Sequence, residues 1–171
     1  MGRILLIIAV ATLFAPLNTV AAESAESFVA RIQAKGPDSV VHEMYDSADW
    51  NRLMLSIGSG DPAWLKVARL LSPGTDGASA EELSAAAGDV LETNASEALR
   101  VLWSTFGLGM CQFLPNKEEP RYQTRQKAIA GLEKRIRNLR SVTRPELSPA
   151  RDACINELRS WESEVEHIYA K

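Results

Sequence analysis

Histidine and cysteine are scarce, two of each in 171 residues, and that scarcity removes most metal and nucleophile chemistry from view. A zinc site takes three or four ligands at helical or loop spacings. His42 and His167 are far apart, and neither has a second His or a free Cys at such a spacing. His42 with Asp46 and Asp49 is the best available cation set, weighed against a merely solvated polar face. No glycine-rich loop is suited to cradling a phosphate, because Gly58-Ser59-Gly60 runs into Asp61-Pro62 instead of Lys and a hydroxyl. No window alternates apolar and polar residues as a half-buried strand does, so sheet content should be near zero. Aromatic residues are 6% of the chain. Trp50, Trp64, Trp103 and Trp161 fall on or beside apolar helical stripes, where core packing is the expected role for most of them. The residues assign no catalytic group, metal ligand or cofactor.

What is present begins at the N-terminus. Arg3 supplies one positive charge, and Ile4 to Leu17 forms an apolar run holding a single hydroxyl, Thr12. The run is too short for a comfortable membrane span. Pro16 and Asn18 break it, and Val20 and Ala22 place small residues where a signal peptidase inspects them, just before Glu23. The expectation is a signal peptide over residues 1–22, cleaved after Ala22, and a periplasmic or secreted chain with no membrane anchor left. No Cys adjoins the cleavage site to be acylated. Removing Arg3 leaves 18 basic against 22 acidic residues, a net charge of −4 over about 149 residues. That length allows a single helical domain with a real core.

Apolar residues then recur at i, i+3, i+4 and i+7, the period of an amphipathic helix. Six short helices are expected, on Ala25/Phe28/Val29/Ile32, Pro37/Val40/Val41/Met44, Trp50/Leu53/Met54/Ile57, Trp64/Val67/Ala68/Leu71, Leu83/Ala86/Ala87/Val90 and Ala95/Ala98/Leu99/Leu102. Their ends carry the expected punctuation. Gly36 tolerates a left-handed C-cap, and Pro37 fits a first turn that needs no amide donor. Asp61 serves as an N-cap before Pro62. Ser79 with Glu82, and Asn94 with Glu97, have capping-box spacing. Asn94-Ala95-Ser96 also fits a glycosylation sequon, although the same residues suffice as a cap.

The last third differs. Two long helices are expected at about Pro120 to Arg140 and Pro149 to Tyr169, joined at Thr143-Arg144-Pro145 with Ser148 as N-cap. Ile129, Leu132, Ile136 and Leu139 on one, and Cys154, Leu158, Trp161, Val165 and Ile168 on the other, form narrow stripes suited to shallow-angle packing. The fold class is therefore all-α: a short-helix array over residues 23–113 and a long antiparallel hairpin over 114–171. Two cysteines in an exported chain most simply pair, so Cys111 and Cys154 are expected to form a disulfide. The alternative is two inert buried thiols.

Charge is unevenly distributed. Residues 117–144 carry nine basic side chains against Glu118, Glu119 and Glu133, a net of +6 that leaves −10 on the rest of the exported chain. Such a helix can attract nucleic acid or anionic lipid. Export, the absence of interleaved aromatics and the acidic run Asp152, Glu157, Glu162, Glu164 and Glu166 on the next helix all weigh against both. Pairing between the two helices is the expected role, with Arg135 or Arg140 meeting those carboxylates. The remaining weight falls on Arg135, Arg137 and Arg140 as a surface for an acidic protein partner.

Short helices paired by tight turns, from Trp50 to Leu71 and from Leu83 to Phe106, resemble the helical-hairpin arrays called HEAT-like repeats. The stretch from Ser59 to Leu65, with Ser79 to Leu102, is similar to small exported bacterial helical proteins. This resemblance covers roughly a quarter of the chain and is carried by pattern, not by a motif. It implies a scaffold presenting a surface to another macromolecule, and no reaction. The expected function is a non-enzymatic periplasmic module that binds another protein, such as an inhibitor or immunity protein against a secreted cell-wall-directed toxin. A homodimer is allowed by the same reasoning. The alternative is an all-helical peptidoglycan hydrolase, since two carboxylates at the right separation suffice for glycoside cleavage.

Overall fold

The computed structural model describes residues 23–170. The expected signal segment, residues 1–22, lies outside the described residues. The described chain is all-helical, with eight α-helices, four short 3₁₀ turns and no strand. In order these are α1 (Ala25–Lys35), α2 (Pro37–Met44), α3 (Ala48–Gly58), α4 (Pro62–Leu71), α5 (Gly77–Asp89), α6 (Ala95–Phe106), α7 (Arg125–Arg140) and α8 (Ser148–Tyr169). No described helix is long and apolar enough to cross a membrane.

Local chemistry sets the boundaries. Ser24 caps α1 by accepting from the Ser27 amide at 3.2 Å. Gly36, with φ 83°, ends α1, and Pro37 opens α2 directly after it. Asp61 accepts from the Ala63 amide at 2.8 Å to start α4, and Asn94 accepts from the Glu97 amide at 3.3 Å to start α6.

Three expected boundaries are corrected, the first at Ser148, which is not an N-cap but the first residue of α8, after Leu147, and makes no capping bond. Helix α5 begins at Gly77, ahead of Ser79, whose hydroxyl accepts from the Asp76 amide at 3.0 Å from inside the first turn. Glu82 is thereby free of any cap and accepts from the Trp50 indole N–H at 2.6 Å, tying α5 to α3. Helix α7 begins at Arg125 instead of Pro120, because extended Thr124 caps it through the Lys127 amide at 3.3 Å. Residues 112–124 form a non-helical strap.

The apolar stripes meet in the interior. Phe28, Ile32, Val40, Met44, Trp50, Leu53, Ile57, Leu71, Leu83, Leu99 and Leu102 are all buried, and Leu132, Leu139, Leu158 and Val165 continue the core into the long helices. Trp64, Trp103 and Trp161 are partly buried against it. Helices α7 and α8 lie side by side. Arg125 at the start of α7 bonds Glu166 near the end of α8, and Arg151 early in α8 donates to the Val142 carbonyl just beyond α7 at 2.9 Å.

The Cys111–Cys154 disulfide is formed, with Cα atoms 5.2 Å apart and both residues fully buried. It fastens the 3₁₀ turn Gly107–Cys111, which follows α6, to α8. The strap leaves from this fixed point.

Candidate functional site

The strap turns an aromatic pair inward. Phe113 and Tyr122 are buried and meet edge to face at 5.3 Å. Room for them comes from Gly131 on α7, where a Cβ would lie 2.9 Å from the Tyr122 ring. Beneath them is Arg135, only 4% exposed, its guanidinium 4.8 Å from the centre of the Phe113 ring.

A buried guanidinium must have its donors matched by acceptors. Arg135 donates to Asp89 at 2.6 Å, to Glu92 at 3.1 Å and to the Tyr122 hydroxyl at 3.2 Å. The Tyr122 hydroxyl in turn donates to Glu92 at 2.8 Å. Asp89 ends α5 and Glu92 lies in the 3₁₀ turn Val90–Glu92 just after it. Gly88 lets Arg135 approach: a Cβ there would lie 2.6 Å from the Met110 carbonyl oxygen and 3.2 Å from an Arg135 nitrogen.

The network extends to the surface through Arg121, which bonds Asp89 at 2.8 Å and Glu119 at 2.6 Å and lies 4.6 Å over the Tyr122 ring. Lys134 approaches Glu92 at 3.7 Å. Three cations, Arg121, Lys134 and Arg135, thus face three carboxylates, Asp89, Glu92 and Glu119. Burial raises the Tyr122 phenol above its ordinary value, with the Glu92 and Asp89 charges adding to the rise against the opposing Arg135. Burial opposes the Arg121 charge, but hydrogen bonds to Asp89 and Glu119 outweigh it and raise the arginine above its ordinary value. Tyr122 therefore remains a neutral donor and Arg121 a fixed cation.

Above this floor is a cleft of about 400 Å³ between α5 and the strap, walled by Glu81, Ser84, Ala85, Gln112 and Leu114, with Arg121 and Asp89 in its lining. A second depression of about 230 Å³ shares Asp89 and Arg121 and includes Leu55. Leu114 is 67% and Leu55 76% exposed.

The expected binding trio is split by the fold. Arg135 does not reach the acidic face of α8: its position on α7 turns it toward α5, and its partners are Asp89 and Glu92. It is a floor residue and is removed from any exposed binding face. Arg137 is exposed and pairs with Glu133 one turn back at 3.5 Å. Arg140 is exposed. Among the described residues the ion pair between the basic and acidic helices is Arg125 with Glu166, and Arg151 bonds its neighbour Asp152. Among the described residues no cluster of three or more His, Cys, Asp or Glu side chains could hold a metal ion, so His42, Asp46 and Asp49 do not assemble the cation set allowed by sequence.

Asp89, Glu92, Phe113 and Tyr122 were not singled out by sequence reasoning. The available signal was Gly88 in an otherwise helical stretch, followed by two carboxylates three apart. Comparison with protein-family models, curated proteins and solved structures finds no match to this chain.

Proposed function

We propose that the protein is a non-enzymatic binding module for another protein outside the cytoplasm. The scaffold in this reading is a stack of short helical hairpins closed by an antiparallel pair, α7 and α8. The observation that carries it is the pair of depressions either side of the Arg121–Asp89 ion pair, each offering an exposed leucine above a floor that is already fixed. Preformed surfaces of this kind bind with little ordering cost, and apolar anchors beside fixed polar groups are the usual make-up of an interface centre. The ionisable groups of the floor bond one another, so their energetic role is to hold the surface in shape.

Exported localisation is part of the proposal. It is supported by the N-terminal pattern and by the disulfide, which suits an oxidising compartment. An inhibitor or immunity role against a cell-wall-directed toxin fits that compartment and size. Affinity capture from periplasmic extract, with partners identified by mass spectrometry, tests the reading. Specific recovery of an exported protein is expected. Clearing of purified cell wall by the protein alone would replace it with the hydrolase alternative.

A further inference from the structure

Helix α5 presents a narrow stripe to the cleft: Ala80 and Glu81, then Ser84 and Ala85, then Asp89. The side chains between the two carboxylates are small, and Glu81 lies about 12 Å along the helix from Asp89 at the usual rise per residue. The two acids are treated differently. Asp89 is held by the chain's own Arg121 and Arg135. Glu81 is exposed, and among the described residues no ion pair engages it.

The strap already supplies one example of how this stripe is used. Arg121 arrives over an aromatic ring and pairs with the carboxylate at one end of the stripe. Glu81 stands at the other end of the stripe, and the same lining includes the exposed Leu114, but among the described residues no cation pairs with Glu81. The volume of about 400 Å³ suits one or two side chains. Neutrality of the floor leaves Glu81 as the uncompensated charge in the cleft lining.

We infer that this cleft receives an arginine or lysine from a partner protein, together with an adjoining apolar side chain that rests on Leu114. The cation pairs with Glu81, and its aliphatic stem covers Ala85 and Ser84. This rests on the binding-module reading and names the chemistry of the partner segment. It also excludes the acidic partner suggested by the basic helix as the occupant of this cleft.

The direct test uses amide chemical shifts of the labelled, purified protein, as the cell processes it, titrated with N-acetyl-Gly-Leu-Arg-Gly-amide and with its Gly-Leu-Glu-Gly counterpart. The arginine peptide should shift amides around Glu81, Ser84 and Leu114, and the glutamate peptide should not. Glu81→Gln should weaken the arginine peptide about fivefold, the scale of one partly exposed ion pair, while amides of the Arg135 network stay unmoved as a control for folding. Equal response to both peptides, shifts confined to other surfaces, or full affinity in Glu81→Gln would each overturn the inference.

Capture from periplasmic extract with wild type and Glu81→Lys separates the two levels. A partner lost only in the Glu81→Lys variant supports the inference. A partner retained by both overturns the cleft assignment and leaves the binding-module reading standing. No specific partner for wild type counts against that reading itself.

Discussion

At the scale of single residues, burial divides three arginines that look alike in sequence. Arg135 has its charge matched by Asp89, Glu92 and the Tyr122 hydroxyl away from water, whereas Arg140 is solvated. Removing one member of a buried ion pair leaves its partners uncompensated. Arg135→Met should therefore lower unfolding free energy by about 3 kcal/mol, and Arg140→Glu should change it by no more than about 0.5 kcal/mol, as read from urea midpoints. Equal effects would show that the buried network contributes no more than the surface.

Tyr122 supplies a pH prediction at the same scale. Its folded-state pKa is raised above 10.0, first by burial, so the folded chain keeps a phenol proton that the unfolded chain releases. That contribution is complete below about pH 10 and is lost as pH rises beyond it. Tyr122→Phe removes this dependence together with the hydrogen bonds to Glu92 and Arg135. The variant should be about 1 kcal/mol less stable at pH 7, and the gap to wild type should narrow between pH 10 and 11. Tyr45 and Tyr169 are also raised, chiefly by burial, so some alkaline loss should persist in the variant. A gap constant with pH would contradict the assignment.

At the scale of elements, the strap over residues 112–124 is the least regular segment and is secured at several points. The disulfide fixes its start, Tyr122 and Arg121 bond the α5 end, the Tyr169 hydroxyl donates to the Tyr122 carbonyl, and Lys127 donates to the Pro120 carbonyl at 2.7 Å. The disulfide closes a separation of 43 residues. On the chain-entropy account that restriction is worth about 4 kcal/mol. Cys154→Ser should lower the melting temperature by roughly 10 °C while leaving far-ultraviolet helical signal largely intact. Alkylation of two thiols in the denatured, unreduced wild type would show that no bridge forms in solution.

Helices were legible in the sequence because each is specified locally, by an apolar stripe and by caps such as Asp61 and Asn94 within a few residues of the amides they satisfy. Residues 120–124 of the strap read as the first turn of α7 because Pro120 is an acceptable helix opener, and only Thr124 and inward-facing Tyr122 show otherwise. The site was not legible for a different reason. Arg135 lies 43 and 46 residues from Glu92 and Asp89, and charge counting along one helix cannot tell which neighbour a side chain will face. Opposite charge on the adjoining helix suggested α8. Packing against the end of α5 decided otherwise.

At the scale of the molecule, an Ala- and Leu-rich core supports a surface on which two leucines remain exposed around a fixed ion pair. The basic ridge at Arg137 and Arg140 lies on helix α7, outside the linings of both depressions. The two surfaces thus make competing claims as the place where a partner docks. The central claim is that the cleft, with its floor held by Arg135, is that place. A photo-crosslinking benzoylphenylalanine installed at Leu114 or, separately, at Arg140 in the producing cell tests it. The account predicts a discrete adduct with a second protein from position 114, lost when Glu81 is changed to Lys, and none from position 140. An adduct from position 140 alone, or none from either, would contradict it.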